Sequence, residues 1–211
     1  MKGDVTLFGS NYSVYVRIVQ LTLKEKGVPY RFVEVDVFGT DGPPADYLER
    51  HPFGRIPAFE YDGFRLFETA AITRYIDDAF NGPALMPQDS KKRARVDQIT
   101  GLLDSYAYRA MVWDVFVERV DVPQEGGASD EEKIVAGLRT AETCLSTLGD
   151  LMGEDDYLVG SNITLADLHA APMFAYFRKT PEGANLLARH PAIVRWWERL
   201  SRRPSIQALA E

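Results

Sequence analysis

Strand signals fill the first eighty residues of the chain and stop near Pro87, and this change of period restricts the fold more than any other feature. Val5 to Phe8 reads as a short strand ended by Gly9. From Val14 to Lys26, Val16, Val19 and Leu23 recur at helical spacing, and Ile18 and Leu21 widen the apolar face. Gly27 suits the position after a helix, and Pro29 blocks its continuation. Phe32 to Val37 then alternates, with Val33, Val35 and Val37 on one face and Glu34 and Asp36 on the other. A strand, a helix and a strand in this order imply a parallel pair.

A loop over Phe38 to Pro44 follows, then a polar helical stretch, Ala45 to Arg50. Two strands, Ile56 to Tyr61 and Phe64 to Phe67, flank Asp62-Gly63, a strong hairpin signal. Thr69 opens another helix that runs to about Ala79. The order β-α-β-α-β-β-α is that of a thioredoxin-like α/β domain. Gly82, Pro83 and Pro87 mark the boundary, which predicts domains over 1–81 and 88–211. The second is expected to be all-α. Within it Ser129 to Met152 repeats Ile134, Leu138, Ala141, Leu145, Leu148 and Met152, a helix with one buried seam. Trp196, Trp197 and Leu200 mark the final helix.

With 211 residues the chain is long enough to bury roughly 70% of its unfolded surface without a disulfide or metal staple. A net charge of −7 argues against nucleic acid as a partner, and the basic clusters Lys91 to Arg95 and Arg202-Arg203 read as solvated helix faces. No apolar run approaches the ~18 residues of a membrane span. Met1-Lys2-Gly3-Asp4 lacks the apolar start of a signal peptide, so the expected location is cytoplasmic and the membrane is not an expected partner. Cys144, the one cysteine, reads as a small buried hydrophobe, and His51, His169 and His190 are too scattered for a ligand set; no metal is expected.

One stretch carries more information than the rest: His51-Pro52-Phe53-Gly54-Arg55-Ile56-Pro57-Ala58-Phe59, then Phe67-Glu68-Thr69-Ala70-Ala71-Ile72. It resembles the glutathione transferase pattern N-P-F-G-x-[VI]-P followed by F-E-S-x-A-I. Phe8-Gly9-Ser10-Asn11-Tyr12-Ser13 and Thr164-Leu165-Ala166-Asp167-Leu168-His169 extend the resemblance over the whole chain, and the helical half is most similar to the phi class and its bacterial relatives. The resemblance implies glutathione as co-substrate. It also implies a cis Ile56-Pro57 bond, with Ile56 offering its N–H and C=O to an extended peptide in strand fashion. Glu68 is expected to face the γ-glutamyl ammonium. Thr69, read as the N-cap of the next helix, is expected to hold the carboxylate.

The chemistry concerns the glutathione thiol. A free thiol has a pKa near 8.5, and lowering it by ~2 units takes about 2.7 kcal/mol of thiolate stabilisation. One hydrogen bond to a charged group contributes roughly 1.5–3 kcal/mol, and a helix N-terminus ~0.3–1 more. A single hydroxyl at the start of the first helix is therefore sufficient. Ser13 sits there and matches the catalytic serine of the phi pattern; a plain helix cap is the competing reading. Ser10, Tyr12 and Tyr15 lie within one turn of it. Asn11 stands where the family commonly has proline, and the loop near Gly42-Pro43 lacks the family's His-Lys pair, which meets the glycyl carboxylate. Arg55 and His51 are the remaining basic candidates for that end.

Thr164 and Asp167 form a variant capping box with Ile163 and Leu168 as its staple, a folding element with no catalytic role. Tyr12, with Trp113, Phe116, Val117, Met173, Tyr176 and Phe177, is expected to line a pocket for a hydrophobic electrophile. Phe53 matches the aromatic key that some classes insert into a partner subunit, which points to a homodimer. The leading expectation is a detoxifying transferase that conjugates glutathione or uses it to reduce a peroxide. The alternatives are a catalytically silent binding or scaffold protein of this fold and, further off, a zeta-type maleylacetoacetate isomerase, whose Ser-Ser-Cys run is replaced here by Ser10-Asn11-Tyr12.

Overall fold

The computed structural model describes residues 4–39 and 42–207. The start of the chain, Met1-Lys2-Gly3, and the Thr40-Asp41 part of the Phe38–Pro44 loop lie outside the described residues. The chain divides into two compact units, 1–84 and 85–211.

In the first unit β1 (Thr6–Gly9), α1 (Val14–Lys26), β2 (Arg31–Glu34), α2 (Ala45–Leu48), β3 (Ala58–Tyr61), β4 (Phe64–Phe67) and α3 (Thr69–Ala79) follow in order. The sheet runs β2-β1-β3-β4, with β1 parallel to β2 and antiparallel to β3, and β3 antiparallel to β4. Period-2 alternation on β1 sorts two cores. Leu7 joins Val16, Val19, Leu23, Phe59, Ile72 and Ile76 on the face covered by α1 and α3. Phe8 joins Val35, Tyr47 and Ala58 on the opposite face, with Val33 and Val37 beside them.

Local chemistry explains the joints. Gly27, at φ 66°, closes α1 with its N–H donating to Leu23 and Lys24 carbonyls. Asp62 and Gly63 both take positive φ, 50° and 77°, as a type I′ hairpin requires. The β2 ladder is shorter than the alternation predicts: pairing stops at Glu34, with Val35 N–H adding one bond to Gly9 C=O. Lys26 is buried, its ammonium held by Asp77 Oδ1 at 2.9 Å and by the Asp77 and Pro83 carbonyls at 3.0 and 3.1 Å.

The second unit is helical. α4 (Ser90–Leu102) continues without a break into a π-helical segment, Leu103–Asp121, and the short α5 (Val122–Gln124). After it come α6 (Glu131–Met152), α7 (Leu165–Phe177), α8 (Pro181–Leu187), α9 (Pro191–Leu200) and α10 (Pro204–Gln207). Asp130 caps α6 through the Glu132 and Lys133 amides. The buried seam of α6 differs from expectation at one place, where Gly137 is inside and Leu138 half-buried. A methyl group on Gly137 would lie 2.8 Å from Asp114 Cβ and 3.0 Å from the Ala110 carbonyl, so α6 packs on the π-helical segment there too closely for a side chain. Cys144 is buried, and burial pushes its thiol up to about 11, which excludes a reactive thiolate.

Asp167 organises this unit. Fully buried, it accepts from the Thr164 N–H (2.7 Å) and hydroxyl (2.8 Å), the Leu158 N–H (2.9 Å) and the Trp196 indole (2.7 Å). These bonds tie the start of α7 to the preceding turn and to α9. Asp167→Ala strands buried donors at about 1–3 kcal/mol each, so urea denaturation is expected to register a loss above about 3 kcal/mol. Thr164→Ala should cost ~1 kcal/mol. Equal losses for the two variants would remove Asp167 from this central role.

Candidate active site

Gly9, at the end of β1, is where the pieces of the site meet. A methyl group placed on it would stand 2.4 Å from Val16 Cγ2 and 3.5 Å from Ile56 Cβ. A side chain here would clash with Val16 in the first turn of α1, while the residue before Pro57 lies at ordinary contact distance from the same strand end. Ser13 follows as the N-cap of α1, extended at φ −74°, ψ 124°, its N–H bonded to Ser10 C=O at 3.0 Å. Ser13 Oγ accepts from Val16 N–H at a long 3.4 Å. A hydroxyl accepts and donates at once, so capping uses one lone pair and leaves the O–H for a ligand.

The loop before Ser13 has no proline to stiffen it, and α1 reaches back instead. Arg17 Nε donates to Asn11 C=O at 2.6 Å and Gln20 Nε2 to Asn11 Oδ1 at 2.9 Å. Ser10 is buried. Tyr12 is exposed, and its hydroxyl donates to Asp36 Oδ1 at 3.4 Å; burial and the Asp36 charge raise its pKa, which keeps it a protonated phenol. Phe38 packs beside it at 5.7 Å between ring centroids and is 69% exposed. No motif marks Phe38; the signal for it is a bare aromatic residue in a loop rich in glycine and proline.

The second piece is the run His51 to Pro57. The Ile56-Pro57 bond is cis, as the resemblance implies. Tyr47, buried on α2, donates its hydroxyl to Arg55 C=O at 2.6 Å and accepts His51 N–H at its own carbonyl at 3.0 Å. His51 is also buried, its ring 4.9 Å from that of Phe67. Burial lowers its pKa against the opposing pull of Glu68, so the imidazole is neutral at pH 7. Arg55 is exposed, and Phe53 more so at 72%.

The third piece is the turn into α3. Here the structure corrects the expected cap: Glu68 is the N-cap and Thr69 the first helical residue, buried. The reason is the Glu68 backbone, which at φ 70°, ψ 112° cannot be helical, while its carbonyl accepts the first helical bond from Ile72 N–H at 3.0 Å. No side chain caps this end, and Ala70 and Ala71 keep the first turn uncovered. Left-handed φ is costly for glutamate, at about 1–3 kcal/mol, and such strain concentrates at binding sites.

The helical unit brings together only part of the expected electrophile pocket. Phe116 and Tyr176, both buried, meet at 4.6 Å between ring centroids with their planes tilted by 43°, and the Lys179 ammonium lies 5.2 Å from the Tyr176 ring. Trp113 is exposed and Val117 half-buried. Met173 and Phe177 are fully buried and offer no surface to a ligand; they belong to the core, because α7 is buried on nearly every side.

The description "Glutathione S-transferase, N-terminal domain" matches residues 7–84, and "Glutathione S-transferase, C-terminal domain" matches residues 84–204. The chain belongs to the glutathione S-transferase family. It is an enzyme of that class by its relatives. Arabidopsis thaliana glutathione S-transferase F13 is 30% identical over 94% of this chain and 91% of that protein. The crystal structure of glutathione transferase F7 from Populus trichocarpa is 30% identical, with a TM-score of 0.87 over 98% of this chain and 97% of that one. Maize glutathione S-transferase I in complex with an atrazine glutathione conjugate is 27% identical, with a TM-score of 0.86 over 98% and 96%. The F series is the phi class that the sequence resembles.

For this transferase, replacing Glu68 by glycine relieves the left-handed strain of about 1–3 kcal/mol against a chain-entropy cost of about 0.5–1 kcal/mol. Thermal denaturation of Glu68→Gly is expected to give a Tm equal to or a few degrees above the wild type. A fall of more than about 3 °C would show that the glutamate side chain supports the fold.

Proposed function

We propose that the three pieces are the γ-glutamyl, cysteinyl and thiolate subsites of a glutathione site that serves conjugation to a hydrophobic electrophile, with peroxide reduction as a second use. The observation that carries this reading is the approach of Ile56 and of Val16, in the first turn of the helix that Ser13 caps, to Gly9, with the strained Glu68 at an uncapped helix start in the same unit. The α3 N-terminus and the buried Thr69 would receive the γ-glutamyl carboxylate, and the exposed Glu68 its ammonium. Ile56, just ahead of the β3 ladder, would pair its N–H and C=O with the cysteinyl residue. Arg55, exposed and permanently charged, suits the glycyl carboxylate, and neutral His51 backs the loop from inside.

The Ser13 hydroxyl, at the positive end of α1, donates to the sulfur and favours its ionised form. In conjugation the thiol proton leaves to solvent, sulfur attacks the electrophilic carbon and the leaving group departs. In peroxide reduction two glutathiones are oxidised to the disulfide while the peroxide becomes alcohol and water. Within the helical unit the exposed Trp113 and the half-buried Val117 are the side chains suited to a hydrophobic electrophile, with the buried pair Phe116 and Tyr176 behind them, and within the first unit the exposed Tyr12 is suited to one as well. The relatives' function fits a cytoplasmic, detoxifying role, and exposed Phe53 suits a homodimer contact, for which light scattering on Phe53→Ser, expected to shift towards monomer, is the check.

Ser13→Ala removes a charge-assisted hydrogen bond of about 1.5–3 kcal/mol, so turnover with a chlorodinitrobenzene acceptor is expected to fall roughly 10- to 150-fold. The KM for glutathione should stay within about threefold, because the peptide contacts lie elsewhere. Unchanged turnover would take Ser13 out of the mechanism. Absence of even millimolar glutathione binding by calorimetry would favour the scaffold reading over the enzyme.

A further inference from the structure

Tyr47 belongs to no motif, yet it holds both ends of the loop that leads into Ile56. Its carbonyl accepts from Arg50 N–H at 2.8 Å and from His51 N–H at 3.0 Å, and its hydroxyl donates to Arg55 C=O at 2.6 Å. Gly54 N–H closes the loop internally on His51 C=O at 2.9 Å. The ring is 2% exposed and packs in the core of Phe8, Val35 and Ala58, with Ile56 alongside. Next to it the Arg50 guanidinium lies 4.8 Å from the centre of the Phe8 ring. Burial raises the Tyr47 hydroxyl well above its ordinary pKa, so it is a proton donor throughout any assay range.

The geometry of one peptide unit gives this bond its consequence. The Arg55 carbonyl and the Ile56 N–H are the two ends of a single planar trans peptide, because the only cis bond found among the described residues is the next one. Fixing the carbonyl from the core side therefore fixes the direction of the Ile56 N–H on the opposite side. A bonded carbonyl also polarises its amide, which makes that N–H a stronger donor.

We infer that Tyr47 is a positioning residue for glutathione: its hydroxyl anchors the Arg55–Ile56 peptide and so aims the Ile56 N–H at the cysteinyl residue and sets where the Arg55 guanidinium starts from. The inference rests on the glutathione reading above. Ser13 is on a different element, so the clamp governs binding and leaves thiolate formation alone. A chain without the usual basic pair at the glycyl end depends more heavily on this peptide.

Tyr47→Phe deletes one oxygen and keeps the ring in its core. Calorimetry is expected to give a glutathione Kd raised roughly three- to tenfold, the range of one net hydrogen bond. Turnover at saturating glutathione should stay within about twofold. Placing p-aminophenylalanine at position 47 keeps the ring and restores an N–H donor, and should return Kd most of the way to the wild-type value. Thermal denaturation of each variant verifies that the compared proteins are folded. A Tyr47→Phe protein with wild-type Kd overturns the clamp alone. So does a reduced turnover with Kd unchanged, the signature of a merely structural role, or a p-aminophenylalanine protein no better than Tyr47→Phe. A wild type that fails to bind glutathione overturns the clamp together with the reading it rests on.

Discussion

The contact on which the site depends is the approach of Val16 and Ile56 to the bare backbone of Gly9. Strand β1 is central in its sheet, and its side chains hold one helix layer through Leu7 and the other through Phe8. At the strand's end Val16 leaves no room for a side chain, at 2.4 Å from where a Cβ would be, and Ile56 lies in contact at 3.5 Å. The start of α1 and the end of the loop before Pro57 consequently share one corner. The absence of a methyl group lets α1 close on the strand end, where Ile56 lies in ordinary contact.

Much of this was legible because the information was local. Gly27 after an apolar helix and Asp62-Gly63 between apolar runs each name a backbone conformation, and each adopts it. The alternation of Val33, Val35 and Val37 names a face, and that face is the one packed with Phe8 and Tyr47. The motif around His51 to Pro57 and Glu68-Thr69 located the candidate site but not its detail. Whether Glu68 or Thr69 caps α3 turns on a backbone dihedral, and composition favours threonine while the positive φ of Glu68 decides otherwise. Leu138 and Gly137 exchanged places for a related reason: the spacing fits both, and only the 2.8 Å approach of Asp114 selects the glycine.

The helical unit was less legible at the level of function. Helical spacing identifies a ligand-facing stripe only where a helix has a solvent side, and α7 has almost none. Met173 and Phe177 therefore read as pocket residues from the sequence and turn out to be core. What sequence did specify there is polar: Thr164 and Asp167 at capping spacing. Their burial converts a local cap into a junction, because the same carboxylate takes the Trp196 indole from α9. Burial raises the pKa of Asp167 and the donors around it oppose that rise, so the Trp196 indole bond joins the packing of Trp196 on Phe174 in holding α9.

The candidate site and the helical junction use opposite strategies. Asp167 is buried with every nearby donor turned onto it, and it serves rigidity. The first unit instead leaves polar groups lightly bonded at element ends: an uncapped α3 start, a serine whose cap bond is long, and an exposed glutamate whose backbone is held in a strained conformation with no side-chain cap bond in return. Groups left unsatisfied within the fold are those with most to gain from a ligand. This arrangement is tolerated because the strain is small beside the packing of two apolar layers on β1. It also separates two tasks in space. In the proposed site, peptide recognition would rest on main chain fixed by the sheet and by Tyr47, whereas ionisation of the thiol would rest on one hydroxyl at the head of α1.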